Sequence, residues 1–138
     1  MIYWFTGQPG TGKTIQANKL KELLQTEKRN WRKDVFHIDN DTFDINEAQI
    51  ISAFLNNNNC DVVVSITSPD LKQREEFKNK CGDGIVEIYV HANKKKLKDR
   101  MCEYEQPQEN FFDMDTTSDN AVQSFTKLVH YLRENQKI

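Results

Sequence analysis

The chain has 138 residues, of which 29% are charged and 37% hydrophobic, and its formal net charge is −2. This length favours one domain over residues 1–138, and the slight negative charge gives no general indication of nucleic-acid binding. No apolar stretch approaches the ~20 residues of a membrane span, and no leader sequence is apparent. The three widely spaced cysteines lack metal-ligand spacing and are typical of reduced thiols in a cytoplasmic protein. We therefore expect a cytoplasmic location.

Apolar or β-branched runs alternate along the chain with stretches whose apolar residues recur at helical spacing. This alternation predicts an α/β domain of three layers, in which helices cover both sides of a five-stranded parallel sheet. The predicted strands cover residues 1–6, 35–38, 61–66, 85–90 and 111–114. The predicted helices cover residues 14–25, 46–55, about 70–80, a basic segment at 94–101 and a last helix with Ser118 as its N-cap.

The first predicted strand leads directly into GQPGTGKT at residues 7–14. This run fits the G-x-x-x-x-G-K-[ST] phosphate-binding loop in its required context between a strand and a helix. Glycines let the backbone wrap around phosphate oxygens, and N–H groups at a helix N-terminus attract anions. We expect Lys13 to reach the β- and γ-phosphates of a nucleoside triphosphate, and the Thr14 hydroxyl to hold Mg²⁺. The predicted nucleotide-binding residues of the loop are Gly7, Gln8, Pro9, Gly10, Thr11, Gly12, Lys13 and Thr14.

Two carboxylates, Asp39 and Asp41, follow the second predicted strand. Ligand sites of parallel sheets lie at the carboxyl ends of the strands, so both are expected near the phosphates. Asp39 is the predicted catalytic residue, since a carboxylate there can orient a hydroxyl and take its proton. Asp41 shares that task or binds Mg²⁺ through water. The alternative is that either residue only caps the next helix.

Two arginines are candidates for stabilising phosphate charge, because a guanidinium suits the equatorial oxygens of a transferred phosphoryl group. Arg74 lies in the helix after the third strand and is predicted to be catalytic, and Arg100 ends the basic segment and is predicted to bind the nucleotide. Either could instead be a solvated surface residue. The lysine run at residues 94–96 is interpreted as a solvated face or as a contact to a phosphate backbone.

The chain lacks the features that mark other phosphate-loop proteins. There is no N-K-x-D element after a late strand, as a GTPase usually needs, and the third predicted strand ends in Ser65 and Thr67 rather than in an aspartate. The small size and the carboxylate after the second strand favour a domain of the small-molecule-kinase type.

Four segments in order along the chain resemble adenylyl-sulfate kinases, and more closely the short viral proteins described as similar to them. They are the loop GQPGTGKT; HIDND, like the family's D-G-D; ITSPD followed by Arg74, like I-S-P-Y followed by arginine; and YEQPQENFFDMDT at residues 104–116, like Y-E-x-P ending in I-D-T. The resemblance implies ATP and Mg²⁺ as cofactors, a hydroxyl acceptor, and Asp39 in the acceptor site. If the protein is viral, its location is the host cytoplasm.

The chain departs from this family on the acceptor side. The family's arginine after D-G-D is missing, since Thr42 and Phe43 follow Asp41, and the next helix is expected almost at once at Ile45. Only three residues separate Arg100 from Tyr104, where the family has a long basic lid. A truncated lid permits a bulky acceptor, as in bacteriophage kinases that phosphorylate 5-hydroxymethyluracil within DNA, where the base would be flipped toward Asp39.

The main hypothesis is therefore an ATP-dependent kinase that transfers the γ-phosphate to a hydroxyl. The acceptor is either a small nucleotide such as adenylyl sulfate or a modified base in DNA. Two alternatives of another class remain: a regulatory protein that binds a nucleotide without catalysis, and a degenerate kinase that serves as an interaction module.

Overall fold

A computed structural model of the protein describes residues 1–27 and 34–138. The strands are β1 (Ile2–Thr6), β2 (Val35–Asp39), β3 (Asp61–Ser65), β4 (Ile85–His91) and β5 (Phe111–Asp115). The helices are α1 (Lys13–Thr26), α2 (Ile45–Asn57), α3 (Leu71–Cys81), α4 (Lys94–Leu97) and α5 (Ala121–Glu134). Short 3₁₀ turns cover Gly82–Gly84 and Lys98–Arg100.

The five strands form one parallel sheet in the order β2-β3-β1-β4-β5. β1 and β3 are buried along their whole length, as expected for central strands that are covered on both faces. The register pairs Asp39 with Ser65 and Ser65 with Phe5, so the carboxyl ends of β2, β3 and β1 lie side by side. This arrangement confirms the predicted five-stranded α/β fold and brings the chain segments after these strands to one edge of the sheet.

The core has two halves because alternate residues of each strand point to opposite faces of the sheet. On one face, Tyr3 and Phe5 pack with Leu20 of α1 and Leu128 of α5. On the other face, Trp4 lies in a second cluster, whose further members include Ile2, Ala48, Val62, Val64 and Phe77. The three predicted layers are thus present. No helix in the described ranges is long and apolar enough to cross a membrane.

The structure corrects two predicted helices. Ser118 is not the N-cap of α5: the cap is Asn120, whose side chain accepts from N of Gln123 at 2.8 Å, while the Gln123 side chain accepts from N of Asn120 at 2.9 Å. The basic segment is also shorter than the helix predicted for residues 94–101. α4 ends at Leu97 because Lys98 adopts φ +54°, which an α-helix cannot continue.

Candidate active site at the phosphate loop

The loop between β1 and α1 has the backbone geometry that its glycines predict. Gly7 has φ +146°, and a Cβ on it would lie 2.0 Å from the carbonyl oxygen of Val90, so only glycine fits there. Gly12 has φ +97° and precedes α1 without any side-chain cap. The first N–H groups of α1 therefore have no side-chain cap and can bind an anion.

Lys13 turns back into this loop. Its Nζ donates to the carbonyl oxygens of Gly7 at 2.9 Å and Gln8 at 2.8 Å. The residue is 8% exposed, and burial lowers the pKa of its ammonium group to about 8. A bound phosphate oxygen would replace these carbonyl oxygens as the partner of Nζ. The side chain of the neighbouring Thr14 is exposed and, among the described residues, has no such partner to give up.

The loop forms one wall of a cavity of about 400 Å³ at the carboxyl edge of the sheet. Lys13, Thr14, Asp39, Asp41 and Arg100 all line it, so the structure brings these predicted site residues together. The other lining residues are Pro9, Gly10, Gly12, Ile15, Asn40, Ser65 and Thr67.

The oxygens of this cavity suit Mg²⁺. In the described part of the chain, no three His, Cys, Asp or Glu side chains converge as a metal centre. Mg²⁺ at nucleotide sites is held by one or two protein oxygens together with waters and substrate phosphates, and it needs no such cluster. The exposed hydroxyl of Thr14, which lines the cavity, is one such protein oxygen.

Asp39 is the last residue of β2 and is half-buried in the cavity wall. Its Oδ1 accepts from the backbone N of Asp41 at 3.1 Å, which fixes the turn that follows the strand. The N-cap of α2 is Asp44, in a capping box with Glu47, so neither Asp39 nor Asp41 caps that helix. Both carboxylates thus remain available to a ligand.

A hydrogen-bonded pair of side chains joins β2 and β3 near Asp39. His37 Nε2 and Ser65 Oγ are 2.7 Å apart, and Ser65 itself lines the cavity. Burial lowers the pKa of His37, and the carboxylate of Asp39 acts in the opposite direction. This pair positions the Ser65 hydroxyl in the cavity wall.

Arg100 is exposed and extends over the phosphate loop. A Cβ on Gly10 would lie 2.9 Å from its Cδ, so the arginine chain passes close above that glycine. Two residues later, the Gln8 side chain binds both backbone groups of Cys102: Nε2 donates to O at 2.7 Å, and Oε1 accepts from N at 2.8 Å. Gln8 therefore joins the phosphate loop to the short segment that follows Arg100, which sequence reasoning missed because the two residues are 94 positions apart.

Arg74 does not line the cavity, and the prediction that it stabilises phosphate charge is not supported by its position. It is 3% exposed, and its Nε donates to Glu87 Oε2 at 3.1 Å. Its two terminal nitrogens donate to the carbonyl oxygens of Ser68 and Glu105. The buried Glu87 holds the guanidinium inside the domain, where Arg74 has a structural role.

The guanidinium of Arg74 also contacts the chain just after residues 101–103. Its carbon lies 4.9 Å from the ring centroid of Tyr104, which stacks on Tyr89. The Tyr104 hydroxyl lies 2.8 Å from Oγ1 of Thr6, and burial raises the pKa of Tyr104 to about 12. Tyr104 thus anchors the chain directly after residues 101–103.

A second cavity, of about 180 Å³, adjoins the phosphate loop on the side of α5. It shares Gly10, Gly12 and Ile15 with the larger cavity. Its other walls are formed by Thr11, Gln16, Lys96, Thr116, Asp119, Ala121 and Ser124. Lys96 donates to the carbonyl oxygen of Thr116, so this member of the lysine run at residues 94–96 already has a partner within the protein.

The parallel sheet with a phosphate loop after its central strand is the P-loop kinase type of α/β fold. The sequence itself matches no known protein family and no curated protein. Among solved structures, the protein APE1195 is similar over 97% of this chain and 95% of its own, with a TM-score of 0.73 and 24% identity. The APS kinase CysC of Mycobacterium tuberculosis is similar over 96% of both chains, with a TM-score of 0.63 and 15% identity. Kti12 of Chaetomium thermophilum, whose structure contains ADP-AlF3, is similar over 94% of this chain and 98% of its own, with a TM-score of 0.64 and 13% identity.

Proposed function

We propose that the protein is an ATP-dependent phosphotransferase that moves the γ-phosphate of ATP to an alcohol. The observation that carries this proposal is that one cavity combines the phosphate loop, with Lys13 and Thr14, and the carboxylate of Asp39. A carboxylate in that position can take the proton of an acceptor hydroxyl. The likeness in fold to APS kinase, a gluconokinase and a shikimate kinase supports the same class of reaction.

The residues divide into a nucleotide side and an acceptor side. Lys13, the backbone N–H groups of the loop and Arg100 bind the phosphates, and the second cavity beside Thr116 receives the nucleoside. Mg²⁺, when bound at Thr14, neutralises charge on the phosphates. Asp39 orients the acceptor hydroxyl and takes its proton while the hydroxyl oxygen bonds to the γ-phosphorus and the bond to the β-phosphate oxygen breaks, which releases ADP.

The resemblance in sequence adds two candidate acceptors. One is adenylyl sulfate, and the other is 5-hydroxymethyluracil in bacteriophage DNA, for which the exposed Lys94, Lys95 and Lys98 would contact the phosphate backbone. Radiolabel transfer from γ-labelled ATP tests both in parallel with a set of uncharged and cationic alcohols. Label in an acceptor establishes the phosphotransferase; label in none, with ATP bound normally, supports the regulatory nucleotide-binding protein instead.

Asp39→Asn is the variant that separates these functions. We expect phosphate transfer to fall by about 10²–10⁴-fold, because the general base is lost, while ATP affinity stays within about threefold of the wild type. Asp83→Asn is a matched control, since Asp83 is exposed in the turn between α3 and β4. Transfer at the wild-type rate by the Asp39 variant would contradict the assigned role.

A further inference from the structure

We propose that the acceptor is an alcohol without any negative charge, and that a positive charge near the reacting hydroxyl improves its binding. This inference rests on the phosphotransferase activity proposed above and concerns only the acceptor side of the same cavity. It departs from the acceptors that the sequence resemblance suggests, because adenylyl sulfate and DNA are both anions.

Among the described residues on the acceptor side of the cavity, the charged groups are all carboxylates and the other polar groups are neutral. Away from the phosphate loop, the wall consists of Asp39, Asn40 and Asp41 after β2, and of Ser65 and Thr67 after β3. These supply two carboxylates, one amide and two hydroxyls. Among the described residues of this wall, none is cationic.

The cations that line the cavity belong to its nucleotide side. Lys13 lies within the phosphate loop, and Arg100 extends over Gly10 of the same loop. A triphosphate carries several negative charges and would take both cations as partners. The carboxylates of Asp39 and Asp41 would then face the acceptor without compensation from these two side chains.

A third cation, Arg74, which the sequence predicts to stabilise phosphate charge, is buried in the domain and does not line the cavity. Glu87 is 3% exposed and would be an unpaired buried charge without its partners Arg74, at 3.1 Å, and Lys78, at 3.0 Å. Breaking such a pair is costly, so the guanidinium stays with Glu87 rather than with a ligand. Lys21 of α1 influences the pKa of His37 but does not line the cavity.

With Mg²⁺ at Thr14 compensating part of the phosphate charge, an anionic acceptor would still approach two carboxylates and the γ-phosphate at once. Like charges in contact repel, and the repulsion is stronger in a partly buried cavity than in water. A neutral polyol meets no such barrier and can donate hydrogen bonds to both carboxylates. An alcohol that also bears an ammonium group gains charge-assisted hydrogen bonds to Asp39 or Asp41.

The first experiment measures label transfer from γ-labelled ATP to small hydroxyl compounds in three separate pools, one anionic, one neutral and one cationic. Adenylyl sulfate and hydroxymethyluracil-containing DNA are tested as two further arms. We expect label in the neutral or cationic pool. Label mainly in the anionic pool, in adenylyl sulfate or in the DNA overturns the charge assignment and leaves the phosphotransferase intact. Label in none of the arms overturns both.

The second experiment changes the charge of the acceptor wall. Asp41 is exposed, and its contact to Asp39 uses the backbone N, so Asp41→Asn preserves the turn. We expect KM for a cationic acceptor to rise about tenfold and KM for a neutral one by less than about threefold, so that the preference in kcat/KM for the cationic acceptor falls several-fold. Asp83→Asn serves again as the remote control. An equal change for both acceptors would contradict the proposal.

Discussion

The environment of Lys13 makes its charge sensitive to pH. The ammonium group is enclosed by the phosphate loop, and burial lowers its pKa to about 8. The protonated form is the one that pairs with phosphate oxygens, so a bound triphosphate favours protonation. The proposed binding of a nucleotide at this loop should therefore depend on the protonation of one side chain.

Raising the pH above about 8 should weaken ATP binding. The free protein then loses the Lys13 proton, so that the apparent Kd rises by up to about tenfold per pH unit, whereas below pH 8 it is nearly constant. Isothermal titration calorimetry at pH 7, 8, 9 and 9.5 measures this dependence. Lys13→Ala should bind weakly with a flat profile; a flat profile in the wild type would contradict the assigned environment.

The surroundings of Arg74 could not be read from its own position in the sequence. Arg74 lies in the helix after the third strand, as predicted. Its partner Glu87 lies 13 residues later, in β4. Both side chains are 2% exposed, and Lys78 completes the cluster from one turn further along α3. No local pattern distinguishes such a buried arginine from one that lines a cavity.

Arg74→Met should lower the free energy of unfolding by about 3–5 kcal/mol, because Glu87 is left as an incompletely paired buried charge. Adding Glu87→Leu should restore most of the loss, since apolar side chains of similar volume replace the pair. Urea denaturation of the two variants measures both effects. A double variant no more stable than the single one would show that the ion pair does not determine the cost.

At the scale of elements, α5 begins where reciprocal hydrogen bonds satisfy its first N–H groups. Ser118 and Asn120 are both good N-cap residues by type. Asn120 is followed three positions later by Gln123, whose side chain returns to the cap. This spacing is the sequence signature of a capping box, so the correct start of the helix was present in the sequence and was overlooked.

Asn120→Ala should lower the free energy of unfolding by about 1 kcal/mol, because a side-chain cap is lost. Ser118→Ala is the matched control and should change stability by less than about 0.5 kcal/mol, since Ser118 is exposed and lies outside the helix. Thermal and chemical unfolding measure the two variants side by side. A larger loss for Ser118 would restore the original prediction.

The segment that follows Arg100, residues 101–105, is an element whose course only the folded chain defines. Its sequence is short and polar, and by itself it shows no preferred conformation. The paired hydrogen bonds from Gln8 to Cys102, together with the bond from N of Glu105 to the carbonyl oxygen of Pro69, fix its course. Arg100 is held over the phosphate loop as a consequence of these contacts.

At the scale of the whole molecule, the strand order determines the site. β1 carries the phosphate loop, and β3 separates it from β2, which carries Asp39. Neighbouring strands in a sheet lie about 4.8 Å apart, so two strand spacings leave room for a phosphoryl group and an acceptor between the loop and the carboxylate. The fold thus sets the span across which the proposed transfer takes place.

A bound nucleotide should stabilise the whole domain, because the phosphate loop, Arg100 and the loop after β5 all line the two cavities. ATP with Mg²⁺ at 100 times its Kd adds about 2.7 kcal/mol to the free energy of unfolding. For a chain of this size the melting temperature should rise by roughly 8–12 °C, measured by differential scanning fluorimetry. Lys13→Ala should abolish the shift, and Lys95→Ala, at an exposed position, should preserve it; no shift in the wild type would contradict nucleotide binding.

Much of this molecule could be predicted from local patterns. The alternation of apolar runs and helical periodicity gave the five strands and the main helices, since these depend on contacts within a short window. The complete GQPGTGKT run located the phosphate loop, because its geometry depends on the glycines themselves. The order of the strands and the contact from Gln8 to Cys102 depend on residues far apart in sequence and could not be predicted in this way.

By itself, the sequence of this protein determined that a phosphate loop follows the first strand and that a carboxylate ends the second, because strand ends and glycine turns are local properties. Only the tertiary structure decided that Asp39, Asp41 and Arg100 share a cavity with Lys13 while Arg74 does not. The physical reason is that a charged side chain goes to the partner that compensates its burial, and Glu87 becomes that partner only when β4 packs beside β1 and α3.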